Sequence, residues 1–213
     1  MEEMKKVKAR SVVKKGPART AEPRASTTDP DARVMKIGGG GKHAAYNVQF
    51  ATDARSRAIV GVQVLRNPTD NGMSEAMAPE VERRTGGRVK VHVTDAGYLS
   101  KPTVEREEAA RIQRIMPLPK NAGGQPATAH QPGDGPGVRR WRERMQTEQA
   151  RALLRQRSAV AETPNAELKT FRALDRLLVR GVSKATNVVL MGVITYNLMH
   201  FALTLAGRPM PRL

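Results

Sequence analysis

Cysteine is absent from this 213-residue chain, which removes disulfide frameworks, thiolate nucleophiles and cysteine zinc sites from consideration. Histidine is scarce: His43, His92, His130 and His200 are scattered, with no two at metal-ligand spacing. A metal centre would therefore be built mainly from carboxylate oxygen, which suits magnesium or manganese. Aromatic residues make up only 3% of the chain, with one Trp, so a core is expected from Val, Leu, Ile, Met and Ala. Acidic residues are outnumbered, 20 against 37 Lys and Arg, for a net charge of +17. Such an excess points to a polyanionic partner, nucleic acid before a membrane surface, with a solvated basic tail as the plainer alternative. The opening "MEEMKKVKARSVVKK" has no apolar run of signal-peptide length, so export is not expected.

One stretch, "NVVLMGVITYNLMHFALTLAG", nears the ~20 apolar residues of a membrane span. Asn197 and His200 interrupt it, and it reads as a buried helix, with Leu190, Val193, Ile194, Leu198 and Phe201 as core and no membrane partner.

Residues 1–45 are basic, rich in Ala, Pro, Ser and Gly, and read as a disordered or loosely packed arm. The glycine run before Lys42 is not a phosphate-binding loop, because Lys36 stands where its first glycine belongs and His43 replaces Ser or Thr. "YNVQFATD" and "AIVGVQVL", parted by the short polar "ARSR", predict a β-hairpin. On its first strand Asn47, Gln49 and Asp53 share one parity and Tyr46, Val48 and Phe50 the other. "NPTDNG" is turn chemistry, with Asp70 placed to cap a helix over about residues 73–85. "GGRVKVHVTD" predicts a strand, "KPTVEREEAARI" a helix and "IQRIMPLP" a further strand, which adds a parallel element to the hairpin in a mixed α/β sheet. Residues 117–138 read as an exposed Pro/Gly-rich loop, and a long helical region follows from about Arg139, with a kink expected at Pro164. From residue 138 to 184 there are twelve Lys or Arg against five acids.

In "VKVHVTDAG", Val89, Val91 and Val93 share a parity with Asp95, so a carboxylate is expected at the end of an apolar strand face. A strand-end turn explains it, and so does a metal site. Carboxylates clustered around two divalent ions are the standard equipment of phosphodiester chemistry, where one metal activates the attacking oxygen and the other stabilises the leaving one.

Taken in order, "STTDPDARVMK", "YNVQFATD", "VTDAGY", "RSAVAETPNAELK" and "RLLVRGVSKATNVVLMGVITYNL" resemble the C-terminal half of bacterial insertion-sequence DDE transposases, over nearly the whole chain from about residue 22. The resemblance implies a ribonuclease H-like α/β fold, a mixed sheet with flanking helices. It also implies DNA at insertion-sequence ends as partner, strand cleavage and joining as activity, and two Mg2+ or Mn2+ ions as cofactors. It carries the second catalytic acid onto Asp95 and the last onto Glu162, both as metal ligands, and DNA contacts onto Arg157 and Lys169. Lys169, seven residues after Glu162, returns to the same helix face, where its ammonium can meet a phosphate. Arg176, Arg180 and Lys184 match the family's basic turn before its last helix and are further DNA contacts, while Tyr196 and Asn197 match its Asn-containing end and need no catalytic role. The run Arg139, Arg140, Arg142 and Arg144 around Trp141 fits a DNA-facing helix start and a solvated face equally.

Two departures stand out. Leu154 occupies a position where the family usually has Tyr, and no Asp-Gly-Thr segment carrying the first acid precedes "STTDPDAR". The expected fold is thus a partial ribonuclease H-like core over residues 46–207, lacking its first core strand, with a tail at 208–213. Asp53 is the one candidate substitute for the first acid. The functional expectation is a truncated transposase, with a catalytically inactive DNA-binding remnant or regulator of a full-length transposase as the alternative. Without the first strand, part of the apolar surface is expected to be exposed, favouring self-association or association with a full-length transposase. The DNA partner implies a cytoplasmic, nucleoid-associated location.

Overall fold

The structure, a computed structural model, describes residues 26–36 and 40–207. Six strands and five α-helices follow in the order β1 (Arg33–Lys36), β2 (Lys42–Ala45), β3 (Asn47–Thr52), β4 (Ile59–Leu65), α1 (Met77–Thr85), β5 (Val91–Val93), α2 (Lys101–Ala109), β6 (Gln113–Ile115), α3 (Pro136–Arg144), α4 (Glu148–Phe171) and α5 (Val182–Leu205). Mixed α/β architecture is as expected. The single mixed sheet is not: β1–β2 and β3–β4 are antiparallel pairs, β5–β6 is a parallel pair, and no ladder joins one pair to another among the described residues.

Two cores accompany this division. Val104, Ile115, Met116, Val138, Trp141, Met145 and Ala150 pack together around the parallel pair, while Ile59, Val62, Leu168, Val189, Val193 and Tyr196 pack on the hairpin β3–β4. Helix α4 joins them: Leu153 and Leu154 near its start pack on the first core, and Leu168 near its end belongs to the second. The same helix packs on β3, β5 and β6. Leu154 is therefore an apolar contact to the Trp141 core.

Hairpin β3–β4 forms as expected, with Asn47 opposite Leu65 and Phe50 opposite Val62. Helix α1 lies close on β4 because position 61 has no side chain: a Cβ there would stand 2.7 Å from Met77 Sδ and 2.9 Å from Val81 Cγ2. Gly61→Val is accordingly expected to lever α1 off the hairpin and cost about 1–3 kcal/mol, read as a lower urea midpoint.

Several expectations are corrected. Residues 26–36 and 40–45 are not a loose arm: they form β1–β2, and Asp29 and Asp31 accept hydrogen bonds from the backbone N–H groups of Gly181 (3.2 Å) and Val182 (3.1 Å), capping the start of α5. Residues 1–25, the rest of the expected arm, lie outside the described residues, as do 37–39 and the 208–213 tail. Asp70 does not cap a helix with its side chain; its carboxylate accepts from Asn47 Nδ2 (2.8 Å) and Gln49 Nε2 (3.2 Å) instead. The loop 117–138 is not wholly exposed, since Ala127 and Asp134 are buried. Helix α4 continues through the buried Pro164, the position of the expected kink, and Asn165 Nδ2 donates to the Ala161 carbonyl at 2.7 Å, next to the Val160 carbonyl whose N–H partner the proline removes.

The face of β5 also differs from its alternation. Val91 is 42% exposed, whereas Thr94 is buried and His92 faces Glu107 of α2, with Nδ1 3.0 Å from Oε1. A buried Arg114 accounts for the polar residues on the inner side: its guanidinium needs polar company and receives it from Glu107, Thr94 and Ser74. Val93, on the same parity as Val91, still packs on the Trp141 core, and Asp95 beyond it is exposed.

Candidate functional site

Asp95 ends the β5 segment and begins a short 3-10 turn over Ala96–Tyr98, whose first N–H, that of Ala96, donates to Asp95 Oδ1 at 2.6 Å. The strand-end turn is thus real. It leaves the carboxylate half exposed, with Oδ2 3.5 Å from Arg157 Nη1 on α4. Two residues further along that helix, the Ala159 carbonyl accepts from Arg57 Nη1 at 2.7 Å, which fixes α4 against the turn between β3 and β4. The structure so brings together two of the expected site residues, Asp95 and Arg157.

Glu162 and Lys169 are exposed on α4, and Glu162 has no hydrogen bond or ion pair among the described residues. Asp53 closes the β3–β4 turn: Oδ2 accepts from Ser56 N and Ser56 Oγ, both at 2.7 Å, and those bonds hold its carboxyl below the usual carboxylate range. Among the described residues no group of three or more His, Asp or Glu side chains is placed to hold a metal ion. The acids present among the described residues do not fit a complete two-metal site.

The basic run around Trp141 is mostly accounted for by packing. Trp141 and Arg142 are buried; Arg142 Nε meets Asp134 Oδ2 at 2.7 Å, Arg144 meets Glu108 at 2.5 Å, and Arg140 meets Glu108 at 3.5 Å. Arg139 Nε donates to the Asp134 carbonyl at 3.1 Å. Arg176, Arg180 and Lys184 differ: all three are exposed and make no ion pair among the described residues. Tyr196 and Asn197 hold the hairpin. Tyr196 Oη donates to the Arg57 carbonyl at 3.2 Å, while Asn197 accepts from Ile59 N and donates to Ile59 O, each at 2.9 Å.

Asp70 is the residue that the sequence reading missed at this site. Its negative field and that of Asp95 both fall on Tyr98, whose phenol is pushed up to about 12, first by burial and then by Asp70 and Asp95. The two amides of β3, Asn47 and Gln49, were the available signal, since amides on the polar parity of a strand need a partner and Asp70 is the one they take.

A mixed α/β domain with a strand-end carboxylate set against an arginine-bearing helix, and unpaired cations beyond it, has the makeup of a protein that works on a polyanion. The chain belongs to the family described as the transposase DDE domain, whose model matches residues 18–198. No curated protein and no solved structure matches the chain. Enzymes of this family carry out DNA transposition and use divalent metal ions.

Proposed function

We propose that this chain is a DNA-transposition domain that keeps its grip on DNA and is incomplete for chemistry on its own. The observation that carries the reading is the interrupted sheet: among the described residues β3 and β5 are each paired on one side only, and α4 packs on both strands. A further strand bearing a third carboxylate, laid between them, would complete a ribonuclease H-like core, with Asp95 and Glu162 as the other two acids and Mg2+ or Mn2+ as the metal. On this reading the domain takes in residues 26–207. Phosphodiester hydrolysis and strand transfer at insertion-sequence ends are then the activity of the completed site.

Arg157, Lys169, Arg176, Arg180 and Lys184 are the proposed phosphate contacts. Replacing Arg176, Arg180 and Lys184 together by Gln should flatten the plot of log affinity against log salt by about 2 to 3 on duplex DNA, since each phosphate contact contributes about 0.9. An unchanged slope would remove those residues from the interface. Asp95→Ala should leave DNA affinity intact.

A second reading, a catalytically inactive DNA-binding regulator of a full-length transposase, is favoured by the lack of a third grouped acid among the described residues. Manganese-dependent nicking of supercoiled DNA separates the two. Nicking by the chain alone, lost in both Asp95→Ala and Glu162→Ala, would overturn the incompleteness; nicking that appears only when a segment supplying the third acid is added, and is lost in the same variants, supports the first reading; none in either case, with salt-sensitive binding retained, supports the regulator. In either case the partner is DNA and the expected location is the nucleoid.

A further inference from the structure

Helix α5 has two unlike sides. Ala185, Val189, Val193, Tyr196 and His200 are buried against the body of the protein, whereas Met191 (64% exposed), Ile194 (51%), Leu198 (65%) and Phe201 (46%) form an apolar row on the outside, with Met199 beside it at 49%. Ile194, Leu198 and Phe201 were expected in the core; the helix is apolar on both sides, so the alternation that marks a buried face was missing. Val182–Ala202 is also the one helix among the described residues long and apolar enough to cross a membrane.

We infer that this row is a self-association surface on which a second copy of the chain lays the same row of its own α5, antiparallel. The proposal rests on the transposase reading only in naming self-association as one of its expectations.

Three features single out a second copy. The intervals between residues 191, 194, 198 and 201 are three, four and three, the spacing of a two-helix seam. That pattern reads the same in both directions: a two-fold axis beside Thr195 and Tyr196 sets Ile194 against Leu198 and Met191 against Phe201, apolar against apolar at every level. No charged side chain lies between Lys184 and the end of the helix, so pairing the rows buries no charge. The size suits as well. At about 100 Å2 of exposed surface for each of the five side chains, two copies would cover about 1,000 Å2, the lower bound of a specific interface.

The salt dependence is the mirror image of DNA binding. Two bodies of +17 repel one another, so added salt should strengthen the pairing, while it weakens the hold on DNA.

Because the chain has no cysteine, the geometry can be tested with single introduced thiols. Ile194→Cys and Leu198→Cys, mixed and oxidised, should give a disulfide-linked dimer that neither variant gives alone, since only the antiparallel seam brings position 194 of one copy within the roughly 4.4–6.8 Å Cα separation of position 198 of the other. Sedimentation equilibrium should show a dimer that tightens between about 50 and about 300 mM salt, and Leu198→Glu should weaken it about 100-fold. Leu198 is mostly exposed, so the variant should fold; an unchanged far-UV spectrum checks this, and Met191→Ser offers a milder substitution at the same seam.

A monomer at about 20 μM in both salts would overturn the proposal, since a seam of this area should hold there. So would a dimer untouched by Leu198→Glu, or cross-links from each cysteine variant alone. A monomer that binds neutral phosphatidylcholine vesicles through the same row would assign the face to a membrane instead. Duplex binding by Leu198→Glu equal to that of the parent chain would leave the transposase reading standing whichever way the dimer test falls.

Discussion

Glu107→Ala is expected to cost about 3–5 kcal/mol, because it leaves the Arg114 guanidinium in the interior with no counter-charge. Arg114 is 1% exposed and cannot shed its proton; its Nε donates to Glu107 Oε2 at 2.6 Å, and its terminal nitrogens donate to Thr94 Oγ1 at 2.9 Å and Ser74 Oγ at 3.0 Å. The bonds tie β5, β6, α2 and the turn before α1 into one unit. Urea unfolding would show the loss as a large drop in midpoint, and Glu107→Ala with Arg114→Met should recover most of it by removing both charges. Equal midpoints for the parent and Glu107→Ala would mean that water reaches the pair. Thr94 precedes Asp95, so the same variant should also loosen the Asp95–Arg157 contact.

The second large effect concerns acid. Asp134 has a fully buried side chain between Lys101 Nζ (2.7 Å) and Arg142 Nε (2.7 Å). Burial by itself would raise its pKa, but Lys101, the Gln131 N–H and Arg142 together bring it far below the ordinary carboxylate value. A carboxyl depressed on folding stabilises the native state fully above its unfolded value, near pH 4, and that stabilisation is lost as the pH falls towards the folded-state value. Unfolding free energy should therefore decline steadily below about pH 4. Asp134→Asn should flatten that limb and cost about 3 kcal/mol at neutral pH by leaving Arg142 buried and unpaired. A limb of unchanged slope in the variant would place the acid sensitivity in other carboxyls.

Much of the architecture could be read from local pattern. Hairpin β3–β4, helix α2 and strand β6 lie where turn residues and periodicity put them, because each is decided by neighbours in the chain. What pattern could not reach were the long-range polar partners. Arg114 holds Thr94 inside and its partner Glu107 takes His92, so that β5 is partly covered on both sides, with Val93 packing on the Trp141 core. Asp70 is claimed by amides more than twenty residues earlier. Arg142, one of four closely spaced arginines that looked alike as charges, is buried because an aspartate eight residues before it is. Asp95 and Arg157 were legible as a pair only through the family resemblance, since nothing in either segment announces that they meet.

The caps that Asp29 and Asp31 provide to the start of α5 join groups about 150 residues apart, and Asn197 holds Ile59 across 138 residues. On a ribosome these bonds must wait. At about 5–20 residues per second, hairpin β3–β4 emerges several seconds before the helix that completes its core, and that half has no native arrangement until α5 has emerged. Folding of this half thus waits for α5 and is of high contact order, while β5, β6, α2 and α3 can assemble before it. A nascent chain stalled before residue 182 should be protected from protease around Trp141 and open to it around Phe50.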